Sequence, residues 1–381
     1  MPPIRAERLI RLSGSRDGVE WGKGCWRPPE STGAPGLPAA APVRRLTAHP
    51  ARNHLAGRSA FTPEGDALIF ASDRDGPTQL FELRLQDGAI RRLTEGHPVQ
   101  PFSAAVHHGG DKVFFARGGA IWVLRRSRLE ENCVVSLGNT RLGPCALAGD
   151  WLAAPARQGR QYGFVIGRTD GSRWDFIALP RPVARLEFHP VEPEWLEIAF
   201  AGAPRMYRLR RDGAGLECLY PHGPDERVVH ETFLGPTGDL VFALWPHALC
   251  RMDWESRQVR QIARFSSWHP ASNPSGTLVV TDTHGPDEGI FLVDPVTGAR
   301  QWVCSPEASN QGESWKPEGQ QVAPETGWET RDLSWEWTHP HPLFSPDNSL
   351  IAFASDRSGT PQLYLATVGE LPPPWFGPPP V

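Results

Sequence analysis

The sequence predicts an all-β protein folded as a seven-bladed β-propeller. Three observations support this fold class. The 381 residues include 38 glycines and 40 prolines, which punctuate short strands and turns. A strand-rich unit recurs along the chain at a period of about 40 to 45 residues, which is typical of a propeller blade. Apolar residues form short runs bounded by turns, as strands do.

The repeat is clearest near the two ends of the chain. Phe61 begins "FTPEGDALIFASDRDGPTQLFELRL" and Phe344 begins "FSPDNSLIAFASDRSGTPQLYLATV". Both stretches contain an F-x-P opening, an apolar strand, an "ASDR-x-G" turn and a second strand that starts near "QL". Weaker copies begin near residues 100, 147, 186, 230 and 269, and the copy near 147 is the weakest. The total is seven units.

The ends of the chain indicate how the ring closes. The last unit runs into "LPPPWFGPPPV", which cannot supply a well-paired outer strand. The segment "PVRRLTAHP" at residues 42–50 echoes "IRRLTEG" at 90–96, the outer strand of the first full unit. We therefore expect an N-terminal strand to complete the last blade.

The same reasoning gives the domain organisation. Residues 42–370 form a single propeller, preceded by a partly ordered N-terminal arm at 1–41 and followed by a proline-rich tail at 371–381. A polar insertion at 305–338 delays the last unit, and we expect it to be a lid over the channel mouth.

Composition excludes several classes of function. The net charge is −4 and no large basic block is present, so the sequence predicts no nucleic-acid partner. No apolar h-region and no long apolar segment occur, which predicts no membrane association and a cytoplasmic protein. The six cysteines are scattered without a CxxC pair, as expected for reduced thiols. Oligomeric state is not predicted.

Three histidines indicate a metal site. His341 lies five residues before Pro346, and His269 lies five residues before Pro274, so they occupy matching positions on adjacent blades. His339 is two residues before His341, and the following prolines should hold both in extended backbone with their side chains on one face. Glu336, three residues before His339, could add an oxygen ligand. Such a set suits a divalent metal such as Mn, Fe, Zn or Ni. The alternative for each histidine alone is a structural hydrogen-bonding role, which we assign to His189 because its register differs.

Two further residues are less clear from spacing alone. His230, in "RVVHETF", lies six residues before Pro236, so a regular strand would turn it to the other face and a β-bulge would be needed to restore it. The spacing around Arg205, in "APRMYRL", predicts a surface arginine beside a turn.

The assembled residues resemble the oligogalacturonate lyases, which are cytoplasmic seven-bladed propellers of pectin breakdown. The resemblance covers about residues 42–370 and is strongest in "RRLTAHPARNHLAGRSAFTPEGDALIFASDRDG" and "HPHPLFSPDNSLIAFASDRSGTPQLYLA". The TolB-like blade pattern also occurs in non-catalytic propellers, so the histidine set is the specific part of the resemblance.

The resemblance implies a cofactor and roles for the candidate residues. In that family three histidines and a glutamine hold a manganese-type divalent ion, and the histidine positions fall on His269, His339 and His341. Glu336 stands where the family has glutamine, which adds a negative charge to the site. The proposed base histidine falls on His230, where the resemblance leads us to expect the bulge, and the catalytic-site arginine falls on Arg205.

The implied chemistry is β-elimination in a short, unsaturated uronic-acid oligosaccharide, with the metal as Lewis acid. His230 would remove the C5 proton because histidine titrates near neutral pH, and Arg205 would clamp the carboxylate or the developing charge. The alternative is that a desolvated Arg205 is the base. Substrate-binding candidates are Arg52, His54 and Arg58, which precede the first inner strand, and Trp337, which could stack on a sugar.

The alternatives remain open at this stage. A non-catalytic TolB-like propeller that binds a protein or a glycan fits the same repeat. The middle blades match the family poorly, which also permits a related enzyme with another uronide substrate. A propeller hydrolase has less support because no G-x-S-x-G motif occurs.

Overall fold

The computed structural model describes residues 21–57, 60–310 and 339–369. These residues form 31 strands and one 3-10 turn at Gly235–Thr237. In chain order the first strands are β1 (Trp26–Arg27), β2 (Thr32–Gly33), β3 (Val43–Arg45), β4 (Asn53–Leu55), β5 (Ala67–Ser72), β6 (Gln79–Arg84), β7 (Ile90–Arg92), β8 (Ala105–Val106), β9 (Lys112–Arg117), β10 (Ala120–Arg125), β11 (Glu130–Ser136), β12 (Thr140–Leu142), β13 (Ala146–Ala148), β14 (Trp151–Gln158), β15 (Gln161–Arg168) and β16 (Trp174–Leu179). The second half contains β17 (Val183–Phe188), β18 (Trp195–Phe200), β19 (Met206–Arg210), β20 (Glu217–Cys218), β21 (Arg227–Phe233), β22 (Leu240–Trp245), β23 (Ala248–Met252), β24 (Val259–Ala263), β25 (Ala271–Ser272), β26 (Val279–Asp282), β27 (Ile290–Val293), β28 (Arg300–Cys304), β29 (Leu343–Phe344), β30 (Leu350–Ser355) and β31 (Gln362–Thr367).

The strands assemble into seven antiparallel sheets, which are the seven predicted blades. From the channel outward, the sheet orders are β4-β5-β6-β7-β1, β8-β9-β10-β11, β13 and β12 on β14 followed by β15-β16, β17-β18-β19-β20, β21-β22-β23-β24, β25-β26-β27-β28, and β29-β30-β31-β3-β2. The prediction of an all-β, seven-bladed propeller is confirmed. No helix in the described part of the chain is long and apolar enough to cross a membrane.

The ring closes as the sequence predicts. Strand β3 pairs antiparallel with β31, with Val43 opposite Ala366 and Arg45 opposite Tyr364. Leu46, directly after β3, is fully buried in a cluster with Leu363 and other side chains of the first and last blades. The described part of the N-terminal arm also adds β1 to the first blade and β2 to the last.

The core lies between neighbouring blades. Apolar side chains of the second and third strands of each blade interdigitate with those of the next, and Phe70, Phe114, Phe164 and Phe242 are all fully buried. Large aromatic side chains fill the space between the sheets at the close packing typical of protein interiors.

The inner strand of the first blade differs from expectation. Strand β4 already contains His54, and an isolated bridge between Phe61 and Leu68 continues the same inner edge. His54 therefore lies within the inner strand and does not precede it. The reason is that the inner strand has two pieces. The first piece, β4, pairs with the end of β5, and the second begins at Phe61, where the F-x-P turn starts.

Candidate metal centre and active site

His269 is held by a buried aspartate on the adjacent strand. The backbone N–H of His269 donates to Asp282 Oδ1 at 2.8 Å, and the ring Nδ1 lies 2.7 Å from Oδ2 of the same carboxylate. Burial raises the pKa of Asp282 to about 6, and the hydrogen bond from the His269 backbone offsets only part of that rise. Near neutral pH the ionised Asp282 accepts the Nδ1 proton, which makes Nε2 the nitrogen of His269 that can ligate a metal.

His339 and His341 reach the same place from the last blade. Their ring centroids lie 5.2 Å and 3.7 Å from that of His269, and 6.0 Å from each other. The Trp268 indole N–H contacts His339 Nδ1 at 3.3 Å. Indole can only donate, so in this contact Nδ1 is the unprotonated nitrogen of His339.

The backbone of this pair corrects one expectation. His341 has a φ of 44°, in the left-handed region, although its following proline predicts extended backbone. Both histidines also precede β29 and do not belong to a strand. Strand alternation therefore does not bring the two rings together. The turn at His341 does, at a typical cost of about 1 to 2 kcal/mol for a residue with a Cβ.

The donor set fits a divalent transition metal. Three imidazoles from two blades converge, and a carboxylate orients one of them, as in many protein metal sites. The rings pack against one another, and within 21–57, 60–310 and 339–369 no three side chains are already arranged as ligands of one ion. Binding would require the rings to turn within the cluster. The remaining predicted ligand, Glu336, lies outside the described residues.

His230 joins the cluster through a bulge, which the family resemblance led us to expect. The pairing of β21 with β22 shifts between Val229 and Thr232, so His230 and Glu231 together oppose a single residue. His230 has a φ of 55°, and its ring centroid lies 4.2 Å from that of His269 and 6.1 Å from that of His341. The bulge thus turns His230 toward the histidines of the next two blades.

Arg205 belongs to a buried ion pair beside this bulge. Its Nε and Nη2 donate to the two carboxylate oxygens of Glu231 at 2.9 and 3.1 Å, and its Nη1 donates to the Phe200 carbonyl at 3.3 Å. Arg205 precedes β19, the third strand from the channel, so Glu231 reaches across from the neighbouring blade. Arg205 is therefore joined by an ion pair to Glu231, the residue that follows His230 in the chain.

The substrate-binding candidates of the first blade lie in a separate group. Arg52 forms an ion pair with Asp73 at 2.6 Å. His54 is buried against Phe102, and burial together with the charge of Arg52 lowers the pKa of His54 to about 4. Arg58 and Trp337 lie outside the described residues.

Several residues of the site were not found from the sequence. Asp282 ends the buried strand "VVTD", and a polar residue at that place can be recognised in the sequence. The sequence around Asp282 does not show that His269 is its partner. Glu231 follows His230 directly, yet its arginine partners lie on another blade. His189 accepts a hydrogen bond from the Glu192 backbone N–H at 2.9 Å, in keeping with a structural role.

Comparison with known proteins gives one consistent result. The family model described as oligogalacturonate lyase matches residues 201–371. An oligogalacturonide lyase of Pectobacterium atrosepticum is 24% identical over 356 residues, covering 82% of this chain and 89% of the relative. An oligogalacturonate lyase of Dickeya dadantii is 25% identical over 364 residues, with the same coverage of 82% and 89%.

Two solved structures share the whole fold. An oligogalacturonate lyase in complex with manganese superposes with a TM-score of 0.77 at 22% identity, over 91% of this chain and 98% of the other. The oligogalacturonate lyase of Vibrio parahaemolyticus gives a TM-score of 0.75 at 19% identity, over 92% and 99%. The matched model includes the blades that carry His230, His269, His339 and His341. This chain is therefore similar to oligogalacturonate lyases in sequence, and its fold is the one that their solved structures have.

Proposed function

We propose that this protein is a lyase that cleaves short, unsaturated uronic-acid oligosaccharides by metal-assisted β-elimination. One observation carries the proposal. His269, His339 and His341 converge from two blades, and His230 packs against them from a third. A binding propeller has no need for a base candidate held in left-handed backbone against a set of metal-ligand candidates.

The proposed cofactor is manganese. His269, His339 and His341 would hold it, with Glu336 as the proposed oxygen ligand. When bound, a divalent cation supplies a Lewis acid that withdraws charge from the C6 carboxylate of the uronate. The likeness to a manganese-containing relative supports the choice of metal.

The chain's own residues would carry out the proton transfers. His230 takes the C5 proton, the C5–H electron pair forms the C4–C5 double bond, and the C4–O4 bond breaks with its electrons on O4. His230 can return its proton to O4, which leaves the residue neutral for the next turnover. Arg205 donates to the substrate carboxylate as negative charge grows there.

The remaining parts of the proposal follow from the mouth of the channel. Arg52, with Arg58 and Trp337, would contact the far end of the oligosaccharide, whereas His54 is buried against Phe102 and would not reach it. The insertion at 305–338, of which residues 311–338 lie outside the described part of the chain, is proposed to cover the bound substrate. We place the enzyme in the cytoplasm, and its six unpaired cysteines support a reducing compartment.

The decisive experiment combines product analysis with metal content. Wild-type protein, His341→Ala and the control His108→Ala, at an exposed turn after β8, are incubated with unsaturated digalacturonate. We expect wild type and the control to contain a divalent metal and to form keto-uronate monomers, and His341→Ala to lose both. Metal-free wild-type protein that is inert on every uronide would support the binding propeller instead.

A further inference from the structure

A network of buried and half-buried charged side chains lies at the junction between the fourth and fifth blades. Its members are Arg185 and Glu187 of β17, Glu197 of β18, Arg205, and Glu231 of the bulge in β21. Arg185 Nη1 donates to Glu187 at 2.9 Å, and its Nη2 lies 3.2 Å from Glu231 and 3.4 Å from Glu197. Glu231 therefore lies within ion-pair distance of two arginines.

The two fully buried glutamates differ in their partners. Both Glu197 and Glu231 are 0% exposed. Glu231 accepts a bidentate pair of hydrogen bonds from Arg205 and also lies within ion-pair distance of Arg185. Glu197 has one long contact to Arg185, and its Oε1 has no hydrogen-bond partner among the described residues. A buried ionised carboxylate needs several donors, and only Glu231 has them.

Electrostatics agree with this difference. Burial raises the pKa of Glu197 well above its usual range, and the nearby Glu231 adds to the rise beyond what Arg185 offsets. Burial also acts on Glu231, but Arg205 and Arg185 outweigh it and lower its pKa to about 2. With Glu197 protonated, two guanidinium groups face two carboxylates, Glu231 and Glu187, and the network is neutral.

We propose that Glu231 is a positioning residue of the active site, which fixes Arg205 in place, while the buried Glu197 carries a proton and has no part in the reaction. The inference rests on the lyase function proposed above. Glu231 is bonded to His230 in the chain, so one side chain anchors both the bulge that presents the base candidate and the arginine that meets the substrate.

The geometry explains what this positioning achieves. Arg205 has five N–H hydrogens, of which two contact Glu231 and one contacts the Phe200 carbonyl. Among the described residues two N–H hydrogens remain for a substrate carboxylate. A guanidinium held on one edge by a carboxylate presents its other edge in a fixed direction, which reduces the entropy lost on binding.

The test compares two isosteric changes of buried glutamates, Glu231→Gln and Glu197→Gln. Glutamine resembles a protonated glutamate in shape and charge, so Glu197→Gln should leave kcat and KM at wild-type values. Glu231→Gln releases Arg205 and should lower kcat by about 100-fold, the typical effect of a 1 Å misplacement, with a smaller change in KM. A merely structural role for Glu231 would lower the stability of Glu231→Gln and leave its kcat per folded molecule unchanged.

A second readout does not depend on activity. In NMR spectra of arginine side chains, the Nε–H of Arg205 should exchange slowly with solvent in wild type and in Glu197→Gln. It should exchange fast in Glu231→Gln. An inactive wild type with this exchange pattern would overturn the lyase function and keep the geometric assignment. Equal exchange in the two variants would overturn the positioning role.

A third variant guards against misfolding of Glu231→Gln. The double variant Arg185→Gln/Glu231→Gln removes one charge of each sign, so the buried network stays neutral. It should show the same loss of kcat relative to the single variant Arg185→Gln, which keeps the Glu231–Arg205 pair. A double variant as active as Arg185→Gln would contradict the inference.

Discussion

His54 shows how a single buried imidazole couples stability to pH. Burial holds its pKa near 4 in the folded protein, below the usual 6.5. Between these values the unfolded chain binds a proton that the folded chain rejects, so stability falls as pH drops from 6.5 to 4. The difference between the two pKa values implies that, below pH 4, the free energy of unfolding is about 3 kcal/mol lower than it would be without this histidine.

The measurement is urea unfolding of wild type and His54→Gln at pH 7, 5 and 4. We expect the two stabilities to converge or cross as pH falls, because only wild type carries the penalty. His247→Gln, at an exposed turn, is the matched control and should run parallel to wild type. If the stability of His54→Gln changed with pH in parallel with that of wild type, His54 would be able to bind a proton in the folded protein, against the prediction.

Individual residues also mark where sequence reasoning reaches its limit. Matching distances to turn prolines identified His269 and His341, because the blade repeat fixes what equivalent positions mean. The partners Asp282 and Glu231 could not be assigned, since each contact joins residues from strands that only the fold brings together. The left-handed backbone of His341 opposes the local preference before proline, and local preference was all that the sequence offered.

At the scale of the element, the bulge in β21 is the feature that makes the site. His230 occupies it with a φ of 55°, where glycine is favoured over any residue with a Cβ. We therefore expect His230→Gly to be more stable than His230→Ala by about 1 kcal/mol. Thermal and urea unfolding of the two variants measure this difference in stability. Both variants lack the imidazole ring, so the loss of its contacts is the same in each.

The control for this prediction is the neighbouring strand position. Val229 lies in regular pairing opposite Ala243, so Val229→Gly should be less stable than Val229→Ala. If alanine also proved the more stable residue at position 230, the backbone there would not be strained, and the bulge would need another explanation.

The closing strand β3 gives a second prediction at this scale. Leu46 is fully buried between the first and last blades. Leu46→Ala should cost about 2 to 5 kcal/mol of stability, because it leaves a cavity at the joint of the ring. Leu216→Ala, at a 37% exposed leucine, should change stability little. A similar small effect at Leu46 would mean that the N-terminal strand does not secure the ring.

Elements were largely predictable, with informative exceptions. Repeat length and turn residues gave seven blades and the completing strand, since both depend on local pattern. The extra residue before Pro236 alone would turn His230 to the other face, and only the family resemblance led us to expect the bulge that the structure contains. The interrupted inner strand around His54 was not foreseen, because the F-x-P pattern marks only its second piece.

At the scale of the molecule, ring closure is what assembles the candidate site. His230, His269 and the pair His339–His341 come from three successive blades and meet only because each blade is held against the next. Residues 42–46 hold the last of these blades against the first. The fold thus brings the candidate residues together, and the proposed chemistry depends on whether that site binds a metal.

The rate of keto-uronate formation from unsaturated digalacturonate, before and after removal of metal, tests this claim most directly. The protein as purified should be active, should lose activity on treatment with a chelator, and should recover it when Mn²⁺ is added back. A rate that chelation leaves unchanged, or a metal-loaded protein that forms no keto-uronate, would contradict the account.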